Sequence, residues 1–398
     1  MSQILPRFDY RLQVAGDTST GPVRSDNQDA LLLAPELACF GVADGMGGLA
    51  HGALAAELAL GSAREHLGSR EAQRALDAFV ASPSLERRRA VLELLKSACL
   101  RAHQAVREES ARRGEAMGTT LDLCVFARDK AFVAHVGDGR VYLGRATTTL
   151  QITEDHLVHD PESLRLPRGG SRQVPRPLSS GVGLEVPLRI DVFPVDLRRG
   201  DLIVLASDGA CAGITDEATL HRITRKDPAK VVHELVHHAA SRGGRDNATA
   251  VALKVEDRLV ARAGDDAHVA DDIATLSHCA LFSGLGTPRL MAALASGIEV
   301  ELEEGHRLTA AGAGDLCAYV LLEGTLELAD GRRMGPPALL HAESLVGVRP
   351  KDLRPAQVVE RARALRIRRD DFREVTAYDP QLAAALYERL ATHLARSP

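Results

Sequence analysis

Three apolar runs in this chain each stop at an aspartate followed by a glycine. They are "CFGVADG" ending at Gly45, "FVAHVGDG" ending at Gly139 and "LIVLASDG" ending at Gly209. Short runs rich in Val, Leu, Ile and Phe that close on Asp-Gly read as strands delivered to turns. Taken singly, each aspartate is a turn residue. Taken together, Asp44, Asp138 and Asp208 pose a harder constraint, and Asp29 in "RSDNQDA" and Asp246 in "GRDNATAV" join them. Carboxylates that converge at strand ends repel one another and need protons or cations among them. Carboxylate and carbonyl oxygens with water suit Mg²⁺ or Mn²⁺, and a glycine after the aspartate lets backbone and water come close.

The segments between these aspartates alternate. "ALLLAPELACFGVAD" reads as two strands meeting near Pro35. "GALAAELALGSAREHL" and "RRRAVLELLKSACLRAHQAV" carry apolar residues at helical spacing. "TTLDLCVFARDKAFVAHVGDGRVYLGR" reads as three strands, with hairpin turns at Arg128–Lys130 and Gly137–Gly139. After "GDLIVLASDGA" come a helix, "PAKVVHELVHHAASRGG", stopped by glycine, and a closing strand, "NATAVALKV". Strand pairs lie side by side without clean βαβ units. This favours an α+β fold of antiparallel sheets with helices packed outside.

Length sets two domains rather than one: residues 1–255, a charged linker at 256–272, and residues 273–398. With aromatics at 3% and no tryptophan, the cores must be built from Leu, Val, Ala and Ile. A net charge of −5 without a basic stripe gives no reason to expect a nucleic-acid partner. No apolar run is long enough for a membrane span or a signal peptide, so a cytoplasmic protein is expected. The six cysteines have irregular spacing and no CxxC pair, which reads as reduced core thiols.

"GPVRSDNQDA", "VADGMGG", "GTTL", "HVGDGR", "ITEDH", "LASDGA" and "GRDNATAV" occur in that order over roughly residues 9–255. Together they resemble the metal-dependent Ser/Thr protein phosphatases of the type-2C family, its bacterial members in particular. The resemblance implies an antiparallel β-sandwich flanked by helices, with two Mn²⁺ or Mg²⁺ ions at one end. It implies that Asp29, Asp44, the Gly45 carbonyl, Asp208 and Asp246 hold those ions, with Asp44 between them. Asp138 would join Asp208 around a third, weaker ion. Arg24 would grip the phosphate of a phosphoserine or phosphothreonine protein, making Arg24, Asp44 and Asp208 the catalytic set. Asn247 and Thr249 read as support beside Asp246. Met46 stands where some relatives place a histidine, so proton supply to the leaving group falls to metal-bound water. Residues 155–183 fall where the family carries a flap, and Arg165, Arg168, Arg172 and Arg176 there could steer acidic phosphopeptides.

Two other readings compete. "HELVH", His233 to His237, matches a zinc-protease pattern. It lacks an evident third ligand and sits in an amphipathic helix, so a surface helix is the better reading. The second belongs to another class: a non-catalytic scaffold that binds phosphoproteins. An inactive relative would lose ligands, and none is missing here. His135 reads as a packed core histidine.

From residue 273 onward, a helical opening, short strands and a closing helix follow. "LFSGL", "GDLCAYVLLEGTLEL" and "RPAQVVERARALRIRRDDF" resemble a cyclic-nucleotide-binding domain. The resemblance implies a β-barrel or jelly roll with flanking helices, and places Arg354 where the phosphate arginine belongs. Pro336 stands in place of the ribose-contacting glutamate and supplies neither a carboxylate nor an amide donor. The expectation is therefore a barrel without cAMP or cGMP, serving a regulatory ligand, a protein partner or dimerisation. Leu382, Leu386, Leu390 and Leu394 form one stripe on the last helix, suited to core or interface alike.

Overall fold

A computed structural model of the chain describes residues 2–47, 51–145, 148–158, 177–212, 214, 216–239, 241, 244–259, 272–286, 290, 297–308, 311–312, 315–348, 356–378 and 380–396. The chain divides into two compact units, Met1–Arg262 and Ala263–Pro398.

The first unit begins with β1 (Ser2–Ile4), β2 (Tyr10–Ser19), β3 (Asp29–Ala34) and β4 (Cys39–Gly47). Three helices follow: α1 (His51–Leu67), α2 (Arg70–Ala81) and α3 (Leu85–Arg113). Then come β5 (Met117–Thr119), β6 (Leu121–Ala127), β7 (Lys130–Val136), β8 (Arg140–Arg145), β9 (Thr148–Gln151), β10 (Asp191–Asp196) and β11 (Leu202–Ala206). Helices α4 (Glu217–Thr224) and α5 (Pro228–His237) precede β12 (Ala248–Arg258). One sheet has the order β1-β2-β12-β11-β8-β9 and the other β10-β7-β6-β4-β3, with β5 on the end of β4. Among the described residues, the strands of both sheets pair antiparallel. The sheets face each other through β2, β12 and β11 against β3 and β4, while α1 and α3 cover one outer face and α5 the other.

Composition explains the packing. Ala55, Ala56, Ala59 and Ala63 of α1 are fully buried and lie in one core with Ala98 and Ala102 of α3, where small side chains allow close helix approach. Helix α2, not anticipated from the sequence, hides Ala72, Leu76 and Phe79 in a polar segment. Its N-cap Ser69 accepts the Ala72 N–H at 3.2 Å. All six cysteines are buried, and none is in a disulfide.

Two sequence expectations need correction. Gly137–Gly139 does not close a hairpin: β7 pairs with β6 and β10, whereas β8 pairs with β9 and β11, in the opposite sheet. The turn carries the chain between sheets, and Gly137 at φ 112° takes a conformation open to glycine. Strand spacing alone cannot separate a crossing from a hairpin. Helix α5 ends at His237, before the glycines expected to stop it.

The second unit contains α6 (Asp272–Ser277), β13 (Gly297–Leu302), β14 (Arg307–Leu308), β15 (Ala311–Gly312) and β16 (Asp315–Glu327). These are followed by β17 (Arg333–Met334), β18 (Leu339–Leu340), a 3₁₀ turn at Ala342–Val346, β19 (Ala356–Arg368), α7 (Arg369–Tyr378) and α8 (Pro380–Arg396). The long β16–β19 pair is the spine of one antiparallel sheet, and the short strands attach to its edges. Among the described residues the sheet is open, not the closed barrel expected. Leu382, Leu386 and Leu390 are buried in this unit's core and Leu394 packs against it, so the stripe is a core face.

Candidate active site

The topology gathers the aspartates. Strand β4 runs antiparallel to β6, and β6 to β7, so β4 and β7 point the same way and deliver Asp44 and Asp138 to one edge. Strand β3 starts where β4 ends, and Asp29 lies directly opposite Asp44. In the other sheet, antiparallel β11 and β12 place Asp208 just past the end of one and Asp246 just before the start of the other. Residues 20–28 cross from β2 to β3 at this end and carry Arg24.

Buried polar groups hold these positions. Ser207 Oγ donates to Asp29 Oδ2 at 2.8 Å and accepts the Thr249 N–H at 3.0 Å. Asp44 N–H donates to Thr120 Oγ1 at 2.9 Å, and Thr119 Oγ1 donates to the Asp44 carbonyl at 2.9 Å. Asn247 secures the crossing segment: its Nδ2 donates to the carbonyls of Thr20 at 2.8 Å and Asp26 at 3.0 Å, and its Oδ1 accepts the Gln28 N–H at 2.9 Å. Gly45 has no space for a side chain, since a Cβ there would sit 1.9 Å from the Gly52 carbonyl oxygen. Ser207, Thr119 and Thr120 are supports that local sequence does not mark, although they stand in "LASDGA" and "GTTL".

The charges interact as converging carboxylates must. Loss of hydration pushes Asp29 up to about 6, and Asp208 and Asp246 add to the rise against hydrogen bonds from Thr249 and Ser207. Asp44 is pushed well above the usual carboxylate range, first by burial and then by Asp29, Asp208 and Asp138. Asp208 keeps an exposed edge, yet its carboxyl is also raised by its desolvated surroundings and by Asp246, while a hydrogen bond shared with Asp44 and the charge of Arg140 pull it back. Burial raises Asp138 to about 6, helped by Asp208 and Asp155. Arg24 donates through Nη2 to Asp246 Oδ2 at 2.7 Å, so the expected phosphate grip and one expected metal ligand meet as a half-exposed ion pair.

The donor set fits hard divalent cations. Every group is an oxygen. Asp29 Oδ1 is buried without a hydrogen-bond partner, a costly state that a cation relieves. Among the described residues no group of three or more His, Cys, Asp or Glu side chains stands close enough together to hold a metal ion as it is. Met46 is half-buried opposite Gly118 of β5. Arg165, Arg168, Arg172, Arg176 and, in the second unit, Arg354 lie outside the described residues. The "HELVH" residues do not assemble a zinc site: Glu234 is engaged by Lys226 and Arg222, and His237 pairs with Asp17 at 2.8 Å.

Two facing antiparallel sheets between helix layers, with acidic strand ends at one edge, define an α+β sandwich with a candidate cation site. A sequence profile described as "Protein phosphatase 2C" matches residues 22–247, more than half of the chain. The chain belongs to the protein phosphatase 2C family. It is 31% identical over 260 residues to the serine/threonine protein phosphatase PstP of Mycobacterium tuberculosis, a match covering 64% of this chain and 47% of that protein. It thus spans about half the length of that relative. The serine/threonine phosphatase stp of Listeria welshimeri is 32% identical over 234 residues, 56% of this chain and 86% of that one. The crystal structure of the M. tuberculosis phosphatase PstP/Ppp superposes with a TM-score of 0.50 at 26% identity, covering 62% of this chain and 99% of that chain.

Proposed function

We propose that the first unit is a metal-dependent phosphatase of phosphoserine and phosphothreonine proteins, and that the second regulates it. The observation that carries this reading is the cross-strand pair of Asp29 and Asp44, two carboxylates set opposite each other and both raised by burial. Such a pair is costly in an apoprotein and useful around cations. Asp29, Asp44, the Gly45 carbonyl, Asp208 and Asp246 would hold two Mn²⁺ or Mg²⁺ ions, and Asp138 with Asp208 a third. When bound, such ions supply Lewis acidity and lower the pKa of an attacking water from about 15.7 toward ~7.

The chain's own residues do the rest. Arg24 spends one donor on Asp246 and keeps others of its planar fork for phosphate oxygens, where charge grows during in-line attack. Asn247 fixes the segment on which Arg24 rides. Ser207 and Thr249 hold Asp29 in place from the facing sheet.

The proposed division is a catalytic domain at 1–255, a linker at 256–272 and a cyclic-nucleotide-binding-like domain at 273–398. The antiparallel spine of β16 and β19, with α7 and α8 after it, is what supports a domain of that type. Pro336 in the ribose position argues for a ligand other than cAMP or cGMP, or for a protein partner. No helix among the described residues is long and apolar enough to cross a membrane.

The test is phosphate release from a phosphothreonine peptide by the full chain, with Mn²⁺ and with EDTA, beside Asp208→Asn. Release that needs both metal and Asp208 supports the reading. Binding of several phosphopeptides without release, in saturating Mn²⁺, would replace it with the scaffold reading.

A further inference from the structure

Behind the Gly137–Gly139 turn lies a buried array that the mechanism above does not use. His135 and Asp122 are both 0% exposed, and His135 Nδ1 lies 2.7 Å from Asp122 Oδ1. His135 Nε2 lies 3.0 Å from the Glu154 carbonyl oxygen. The second imidazole, of His156, stacks at a tilt with its ring centroid 4.6 Å away. His156 Nδ1 is 3.2 Å from the Gly137 nitrogen and its Nε2 is 3.1 Å from Asp191 Oδ2. Arg189 holds Asp191 through Nε at 3.0 Å and Nη2 at 2.8 Å.

These contacts fix both protonation states. Each nitrogen of His135 faces an acceptor, so both must donate and the ring is an imidazolium paired with Asp122. His156 faces a donor, the Gly137 N–H, and an acceptor, Asp191. It must therefore be neutral, with its hydrogen on Nε2. Charging it would set an N–H against an N–H. Two rings in contact thus hold opposite states, one cation and one neutral acceptor.

The same segment grips the turn at further points. The backbone N–H of His156 donates to the Gly137 carbonyl at 2.7 Å. Asp155 accepts from Arg140 Nη2 at 2.7 Å on the far side of the turn. Gly137 has Thr120 directly beneath it, where a Cβ would come within 2.6 Å of Thr120 Cγ2. Asp122 Oδ2, buried without a hydrogen-bond partner, abuts Gly139. Asp138 sits between these two anchored glycines, within reach of the charge of Asp208.

We propose that His156 is a positioning residue for Asp138: locked in its Nε2–H form by Asp191 and backed by the Asp122–His135 pair, it clamps Gly137 from two sides and so aims Asp138 at the cation it would share with Asp208. This rests on the metal-site reading above. The titration of the two rings agrees with it. Burial lowers His156, with the His135 charge adding to the fall. For His135, burial pulls down but Asp122 outweighs it and the net direction is up.

The test is Mn²⁺ titration calorimetry on the full chain. Asp138→Asn should remove the weakest class of sites. His156→Leu should weaken that class about 10–100-fold, as loss of a group that orients a ligand does, and leave the tight class unchanged. His156→Asn, whose Oδ1 can accept the Gly137 N–H, should recover most of the loss. Adding His156→Leu to Asp138→Asn should weaken binding no further. If His156→Leu does not fold, Asp191→Asn applies the same test: its amide can donate to Nε2, which turns an Nδ1–H toward Gly137 and weakens the same class. The proposal is overturned if the weak class survives these substitutions, if all classes fall together, or if no class depends on Asp138. Failure of the metal-site reading looks different: wild-type protein binds no Mn²⁺, or Asp44→Asn leaves the tight class intact.

Discussion

Asn247 ties the 20–28 segment down with its side chain, and replacing it with alanine has a consequence that can be worked out. Its side chain makes three hydrogen bonds, to Thr20 O, Asp26 O and Gln28 N, and the residue is 5% exposed. Each neutral hydrogen bond is worth about 1 kcal/mol net. Residues 22–26 are exposed, so water can reach the Asp26 carbonyl and recover part of one bond. The local loss should therefore be about 2–3 kcal/mol. At about 1.4 kcal/mol per factor of ten, amides of the 20–28 segment should exchange with deuterium on the order of thirty- to a hundredfold faster by mass spectrometry. Amides of β6 and β7, in the other sheet, should not change. Because Arg24 rides on this segment, KM for a phosphopeptide should rise with little change in Mn²⁺ affinity. Asn247→Asp separates donors from acceptor. It keeps an oxygen for Gln28 N–H, loses both donated bonds and sets a carboxylate against two carbonyls, so it should damage the loop at least as much as alanine. Wild-type exchange in Asn247→Asp would refute the donor argument.

Asp44→Asn should make the metal-free protein more stable, since a buried like-charge neighbour of Asp29 and Asp208 is removed. It should also abolish the gain on adding Mn²⁺, which for one site is about 2.7 kcal/mol at a hundred times Kd; thermal melts in EDTA and in Mn²⁺ read both. Asp191 is held at about 2, against burial, by the hydrogen bond from His156 and by the charge and hydrogen bonds of Arg189. A depressed carboxylate contributes stability above its unfolded pKa of 3.8 and loses it as pH falls through 2. The contribution is about 2 kcal/mol, and the wild-type advantage over Asp191→Asn, followed by urea midpoints from pH 5 down to 2, should shrink by that amount. Gly45→Ala would place a methyl 1.9 Å from the Gly52 carbonyl, between β4 and α1. Overpacking of this kind costs about 1–3 kcal/mol or more, and a melting temperature within a degree of wild type would contradict it.

The strand-end aspartates were legible because they break a strong rule. An apolar run that ends on a charge is costly unless something compensates it, so Asp44, Asp138 and Asp208 stood out against their own surroundings. Their partners were not legible for the opposite reason. Ser207, Thr119 and Thr120 are ordinary in strands and turns, and their role depends on which strand faces them. Asp29 opposite Asp44 follows from register, and Ser207 beneath Asp29 follows from how the two sheets face each other. Neither is encoded in local spacing. The same limit explains the misread turn at Gly137–Gly139. Two glycines around an aspartate suit a hairpin as well as a crossing, and only the pairing of β8 with β11 decides between them. That crossing also explains why His135 could look like simple core packing. Its ring sits near the end of β7, below a turn that changes sheets. Asp122 holds that ring by charge, and His156 holds the turn as a neutral acceptor. A core histidine and a functional one need not be alternatives: the hydrogen-bond partners around each buried ring set its protonation, and in the proposal above that protonation holds the turn that carries Asp138.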